Sequence, residues 1–135
     1  RGTTFLGRIM QPLVFSIRPV HVASFRSGVK RFEYRLRLPS VQSGDLALIY
    51  ETAPVSAVVA TVRVGIVYDG DPADVWGATC SLGGITRAEF YSYIGDRTRA
   101  VAIEMEPTWL AAPVRLPVGM VAPQSWARWK GAWPA

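Results

Sequence analysis

The chain has 135 residues, half of them apolar or aromatic, with a formal net charge of +5, one cysteine and one histidine. That length and apolar content suit a single domain with one real core. The lone Cys80 excludes an internal disulfide and a cysteine-based zinc site, the lone His21 gives a Ser-His-Asp triad or a histidine metal cluster little to build on, and no apolar run is long enough to span a bilayer.

Residues 1–11 show neither helix nor strand periodicity and are read as an extension with no assigned function, ahead of one domain over 12–135. The basic, polar start lacks the pattern of a secretory signal, so the expectation is a soluble, cytoplasmic protein without a membrane partner. Leu13 to Ile17 reads as a short strand. Pro19 fits the first turn of a helix running through Phe25 to a stop at Gly28. A strand from about Arg31 to Leu36 follows, then turn chemistry at Gln42-Ser43-Gly44-Asp45 and an apolar strand from Leu46 to Tyr50.

Val55 to Val67 is β-branched and too long for one flat strand, which predicts a bend near Gly65 of the kind that closes small barrels. Asp71-Pro72 starts a short helix through Trp76. Thr86-Arg87-Ala88-Glu89 has capping-box spacing for another helix ending before Gly95. Phe90, Tyr91 and Tyr93 on that helix are expected in packing, and Cys80 as a small buried or half-buried side chain. Ala100 to Met105 alternates as a half-buried strand should, with Pro107 expected to end it and Glu104 and Glu106 on a solvated face. Pro113, Pro117 and Pro123 predict a tail that wraps the barrel in short extended pieces.

Charge is segregated along the chain. Arg18 to Arg37 holds six basic residues and one acid, whereas Asp45 to Asp74 holds five acids and one base. Arg115 to Lys130 adds three basic residues and no acid, beside Trp126, Trp129 and Trp133. Such clusters favour phosphate-bearing partners, although thirteen arginines against two lysines also fit a plain coding bias. Within the first cluster, alternation puts Phe32, Tyr34 and Leu36 on one side of a strand and Arg31, Glu33, Arg35 and Arg37 on the other. Three guanidiniums broken by one carboxylate call for an anionic ligand or an organised ion network facing them.

The run Gly28-Val29-Lys30-Arg31-Phe32-Glu33-Tyr34-Arg35 carries the spacing Gly-x-Lys-x-x-Glu-x-Arg and resembles the signature of ASCH domains, a branch of the PUA-like superfamily. The resemblance extends to Phe15-Ser16-Ile17-Arg18-Pro19, to Gly44 through Tyr50, to Ala60 through Gly65, to Gly84 through Tyr91, to Ala100 through Met105 and to Pro123-Gln124-Ser125-Trp126, most of the chain. It implies an α+β fold, a small PUA-like β-barrel of about five to six strands with flanking helices.

For function the resemblance implies RNA, or a nucleotide-like ligand, bound in a basic cleft lined by Arg18, Lys30, Glu33 and Arg35. Tyr50 and Thr52 at the exit of the central strand offer hydroxyls or a stacking face, with core packing of Tyr50 almost equally expected. Gln124, Ser125 and Trp126 match the closing segment of longer members, where polar groups read a base edge and an indole stacks on it; pinning of the tail by Trp126 and Trp129 reads as well. No cofactor or metal is implied.

The alternative is a hydrolase, because the family includes an acetylcytidine amidohydrolase branch and members with ribonuclease activity. Lys30 is then the base or activator and Glu33 its partner. The amidohydrolase branch has a nucleophilic Thr three residues after the Lys, where Glu33 stands here, which counts against that chemistry. A protein-interaction module in transcription or translation control is a third reading, resting on the aromatic tail.

Overall fold

The computed structural model describes residues 3–5 and 8–134. Two short strands, β1 (Thr3–Phe5) and β2 (Arg8–Met10), pair antiparallel in a sheet of their own. Residues 1–11 carry no strand periodicity that announces them, because three-residue strands are too short for an alternating pattern to register in the sequence. The remainder of that extension, residues 1–2 and 6–7, lies outside the described residues.

The main chain then runs β3 (Leu13–Ile17), α1 (Pro19–Ser27), β4 (Phe32–Arg35), β5 (Leu46–Glu51) and β6 (Ala57–Gly70). It continues through α2 (Pro72–Thr79), a 3-10 turn at Cys80–Leu82, α3 (Arg87–Ile94), β7 (Ala100–Val114) and β8 (Trp126–Arg128). Pro19 begins α1 and Gly28 ends it at φ 85°, where a residue without Cβ avoids the left-handed penalty. Six strands form one sheet in the order β4-β7-β6-β5-β3-β8. All its pairings are antiparallel except β3 with β5, which are parallel and joined through α1 and β4. The sheet curls into a half-barrel with helices beside it, so the architecture is α+β as expected.

The bend predicted near Gly65 is present as a register shift between Val64 and Val67 in the β6–β7 pairing. A Cβ at Gly65 would run into the Glu104 carboxylate, whose Oε1 accepts from the Ile66 amide at 3.0 Å and so satisfies a donor that the shift releases. Pro107 does not end β7, which continues to Val114 with Pro107 opposite Val62. The reason lies in strand parity: Met105 donates its amide toward the β4 side, to Arg31 O at 2.8 Å, and two residues on a Pro nitrogen faces that side where β4 has stopped. No donor is missed there.

Asp71 caps α2 by accepting from the Ala73 and Asp74 amides, and the helix outlasts its expected end at Trp76 by three residues. The Thr86–Glu89 capping box is complete. Cys80 is exposed rather than buried, because it sits past the end of α2 in a turn that buries none of its residues. The core has three parts. Leu13, Phe15, Ile17 and Ile49 pack with Ile103 and Met105 inside the curl, Phe32 and Tyr34 pack with Val75 and Phe90 under the helical excursion, and Val14, Leu48 and Tyr50 pack with Trp129 under the tail. No helix among the described residues is long and apolar enough to cross a membrane.

Candidate functional site

The strand β4 faces as alternation predicts. Phe32 and Tyr34 are buried in the packing under α2 and α3, with Leu36 half-buried beside them, while Glu33 and Arg35 turn to the other side and line a cavity. That cavity has a volume of about 330 Å³. Its wall is assembled from four places: Ser16, Ile17 and Arg18 at the end of β3, His21 on α1, Lys30, Glu33, Tyr34 and Arg35 on and before β4, and Ile85, Glu89 and Tyr93 on and before α3, with Gln124 closing it from the tail.

Lys30 is not the solvated loop lysine it resembles in sequence, for it is only 3 % exposed. Its ammonium donates to the Gly83 carbonyl at 2.7 Å, lies 3.9 Å from Glu33 Oε1, and sits 5.2 and 5.5 Å from the ring centroids of Tyr34 and Phe25. Burial lowers its pKa from the ordinary lysine value; Glu33 opposes that shift and Arg35 adds to it. The Gly83-Gly84 pair, legible in sequence only as a turn, is the cradle. A Cβ on Gly83 would strike the Tyr34 hydroxyl, and one on Gly84, at φ 70°, would come within 2.6 Å of the Lys30 Cβ. Thr79 donates its own hydroxyl to Val75 O at 2.8 Å, so in the 2.7 Å contact with Tyr34 it accepts and the phenol donates. Tyr34 therefore spends its hydrogen on the fold and offers the cavity its ring.

Arg35 was expected to present donors to a ligand, but its guanidinium is largely engaged by the protein. One terminal nitrogen donates to Ser125 Oγ at 2.6 Å and to Ser125 O at 3.2 Å; the other donates to Ser16 O at 3.1 Å and meets Glu33 Oε2 at 2.9 Å. β4 and β8 are the two ends of the sheet order, yet Arg35 on one reaches the residue just before the other. Arg35 is thus a latch across the gap in the half-barrel. Ser16 completes it by donating its hydroxyl to Pro123 O at 2.6 Å and its amide to Ser125 O at 2.9 Å. Segment 123–125 is fixed on both sides, and the exposed Gln124 between those anchors lines the cavity.

Among the residues expected at the site, Arg18, Lys30, Glu33, Arg35 and Gln124 come together around one cavity, and Ser125 acts from behind it through Arg35. Tyr50, Thr52 and Trp126 do not line it. Tyr50 is buried against Trp129, Thr52 is tied by its amide to Ile17 O, and Trp126 lies on β8 opposite Phe15 with 38 % of its surface exposed. Trp129, buried, does the pinning.

Sequence reasoning missed His21, Glu89 and Tyr93. His21 carries one usable signal, its place in the first turn of α1, three residues after the N-cap Arg18. Tyr93 is partly exposed, unlike its packed neighbour Phe90, and burial raises its pKa. Glu89 keeps its pKa low by accepting from the Thr86 amide in the capping box. Among the described residues no group of three His, Cys, Asp or Glu side chains is placed to hold a metal ion.

No protein-family model matches this chain, and no curated protein sequence does. Among solved structures it is similar to the crystal structure of an ASCH protein from Zymomonas mobilis, at 22% identity and TM-score 0.78 over 89% of this chain and 88% of that one. Two mutant forms of the Zymomonas mobilis protein give 20% identity each, with TM-scores of 0.81 over 90% and 91% of the two chains and 0.79 over 89% of both. At that identity the agreement speaks to architecture, and it joins the Gly28–Arg35 signature that the sequence carries: the chain has the fold of ASCH domains, a PUA-like half-barrel.

Proposed function

We propose that this ASCH-fold domain binds RNA, or a nucleotide-like ligand, in the cavity between β4, α1 and α3. The observation that carries the reading is the convergence of Lys30, Glu33, Arg18 and Gln124 on a volume of about 330 Å³. That size sits at the lower end of the about 300–1,000 Å³ range of small-molecule sites, suited to one unstacked base and its sugar more than to a helix. The Lys30 ammonium and Glu33 carboxylate supply a donor and an acceptor at the floor, the Gln124 carboxamide both at the mouth, and the Tyr93 ring an aromatic wall. Arg18 supplies the cation at the exposed rim. A cytoplasmic place of action accompanies such a ligand and belongs to the same proposal.

The test is a filter-binding titration of a labelled single-stranded RNA at several salt concentrations. Arg18→Ala is expected to weaken binding and reduce the salt slope by about 1, because it removes a phosphate-facing charge. Lys30→Ala is expected to weaken binding with its far-UV circular dichroism unchanged. Equal affinity and equal salt slope for wild type and both variants would remove the cavity from the account.

The hydrolase reading keeps one specific support, the burial that lowers the Lys30 pKa and favours a neutral amine able to take a proton. Against it, Glu33 stands where the amidohydrolase branch has its nucleophile, and Arg35 holds that carboxylate in an ion pair. Turnover of acetylated cytidine or of labelled RNA by wild type, lost in Lys30→Ala and Glu33→Ala, would put the hydrolase first.

A further inference from the structure

We propose that Arg18 and His21 form the phosphate subsite of this cavity, with His21 changing from a neutral acceptor for Arg18 to a charged donor when a phosphodiester enters. The inference rests on the cavity being a nucleotide site and adds where the phosphate is held and by what. Arg18 Nη2 lies 3.3 Å from His21 Nε2. A guanidinium has hydrogens to give and no lone pair to receive with, so Nε2 must be the acceptor in this contact. The free ring is then neutral, with its proton on Nδ1.

A neutral imidazole is a weak companion for a guanidinium, and among the described residues no other side-chain hydrogen bond or ion pair engages Arg18. The cavity's remaining cations are accounted for: Arg35 is paired with Glu33 at 2.9 Å and Lys30 is seated on the Gly83 carbonyl. Among the described residues Arg18 forms no ion pair. It is the cavity cation whose counter-charge has to come from outside, and it is exposed where a ligand would arrive.

The groups around His21 set the direction of its response. Half-burial lowers its pKa, as do Lys30 from the β4 side and Arg18 from the helix start; Glu33 and Glu89 push the other way. Tyr93 on α3, with Tyr34 and the Glu33-paired Arg35 on β4, completes the charged and titratable lining. A phosphodiester placed beside Arg18 supplies a negative charge next to the ring and draws the guanidinium off Nε2. Both changes favour the imidazolium, which then donates to the phosphate from the nitrogen that had accepted. No such gain is available to an uncharged nucleoside.

His21 is the only histidine of the chain, so its imidazole resonances need no assignment. The experiment follows them by NMR from about pH 5 to 8, in the free protein, with a ten-nucleotide single-stranded RNA containing all four bases, and with the four free nucleosides. RNA is expected to raise the His21 titration midpoint and the nucleosides to leave it in place. Because the phosphodiester charge is constant over that range, RNA affinity is then expected to fall as pH rises from the free to the bound midpoint, about tenfold for each pH unit between them. His21→Gln should flatten this dependence while still binding RNA. Binding of RNA with the His21 midpoint unmoved, or an unchanged pH dependence in His21→Gln, overturns the subsite and leaves the nucleotide reading standing. Absence of RNA binding at every pH overturns both.

Discussion

Arg31 and Arg35 flank the same strand, sit on the same side by alternation, and both reach carboxylates, yet the structure uses them in opposite ways. Arg31 lies at the open end with 43 % of its side chain exposed, meeting Glu104 at 3.3 Å and Glu106 at 3.2 Å. Arg35, 9 % exposed, is enclosed by Glu33, Ser125 and Ser16 and joins two edges of the sheet. Water competes for the first set of contacts and is excluded from the second. Exposed ion pairs contribute about 0–1 kcal/mol, whereas removing one partner from a buried pair costs about 3–5 kcal/mol because it strands the other charge. The row of arginines is thus one sequence pattern holding a surface pair and a structural latch.

The largest expected effect breaks the latch. Arg35→Ala should destabilise the fold by about 3–5 kcal/mol in urea unfolding, since it isolates Glu33 and frees segment 123–125. Adding Glu33→Gln to that variant should recover part of the loss by removing the stranded charge. A cost under about 1 kcal/mol for Arg35→Ala would place Arg35 with Arg31 and end the distinction.

An intermediate effect appears in pH dependence. Burial lowers the Lys30 pKa in the folded protein, while the unfolded chain keeps the ordinary value near 10.4, so between the two the unfolded state binds more protons and stability rises with pH. Lys30→Met has no such group. Subtracting the variant's unfolding free energy from wild type at pH 7 and above should therefore give a difference that moves in favour of wild type toward about pH 10, which also cancels the tyrosine titrations common to both. A flat difference would mean that the Lys30 ammonium is as well solvated as Arg31. The smallest effect is at Arg31 itself: Arg31→Ala should change stability by no more than about 1 kcal/mol, and less at high salt.

Much of this was legible where a local rule has a strong sign. Pro19 and Gly28 bracket α1, Thr86 and Glu89 start α3, Gly65 marks the bend in β6, and the alternation from Phe32 to Arg35 sorts core from cavity. Local rules failed where the answer depended on a neighbouring strand. Pro107 reads as a stop, and only the early end of β4 beside it makes a missing donor harmless. Tyr93 reads as packing like Phe90, three residues earlier on the same helix, and only the position of α3 over the cavity gives it an open side.

The sequence by itself determined the ends of α1, the start of α3, the bend in β6 and the face of β4 that turns inward, and through the resemblance of its Gly-x-Lys-x-x-Glu-x-Arg spacing to the ASCH signature it pointed to the kind of fold. Steric and hydrogen-bond preferences that act within a few residues are sufficient for the elements and the strand face, whereas the fold was read by resemblance to a family pattern. Tertiary structure alone decided which charges are free. Arg18, Arg31 and Arg35 are the same residue type in one basic stretch, and they become a rim cation, a surface pair and a latch according to which carboxylates and carbonyls the curled sheet brings to them from up to 90 positions away. A guanidinium's role follows from its desolvation and its partners, and neither is a property of the residues next to it in the chain.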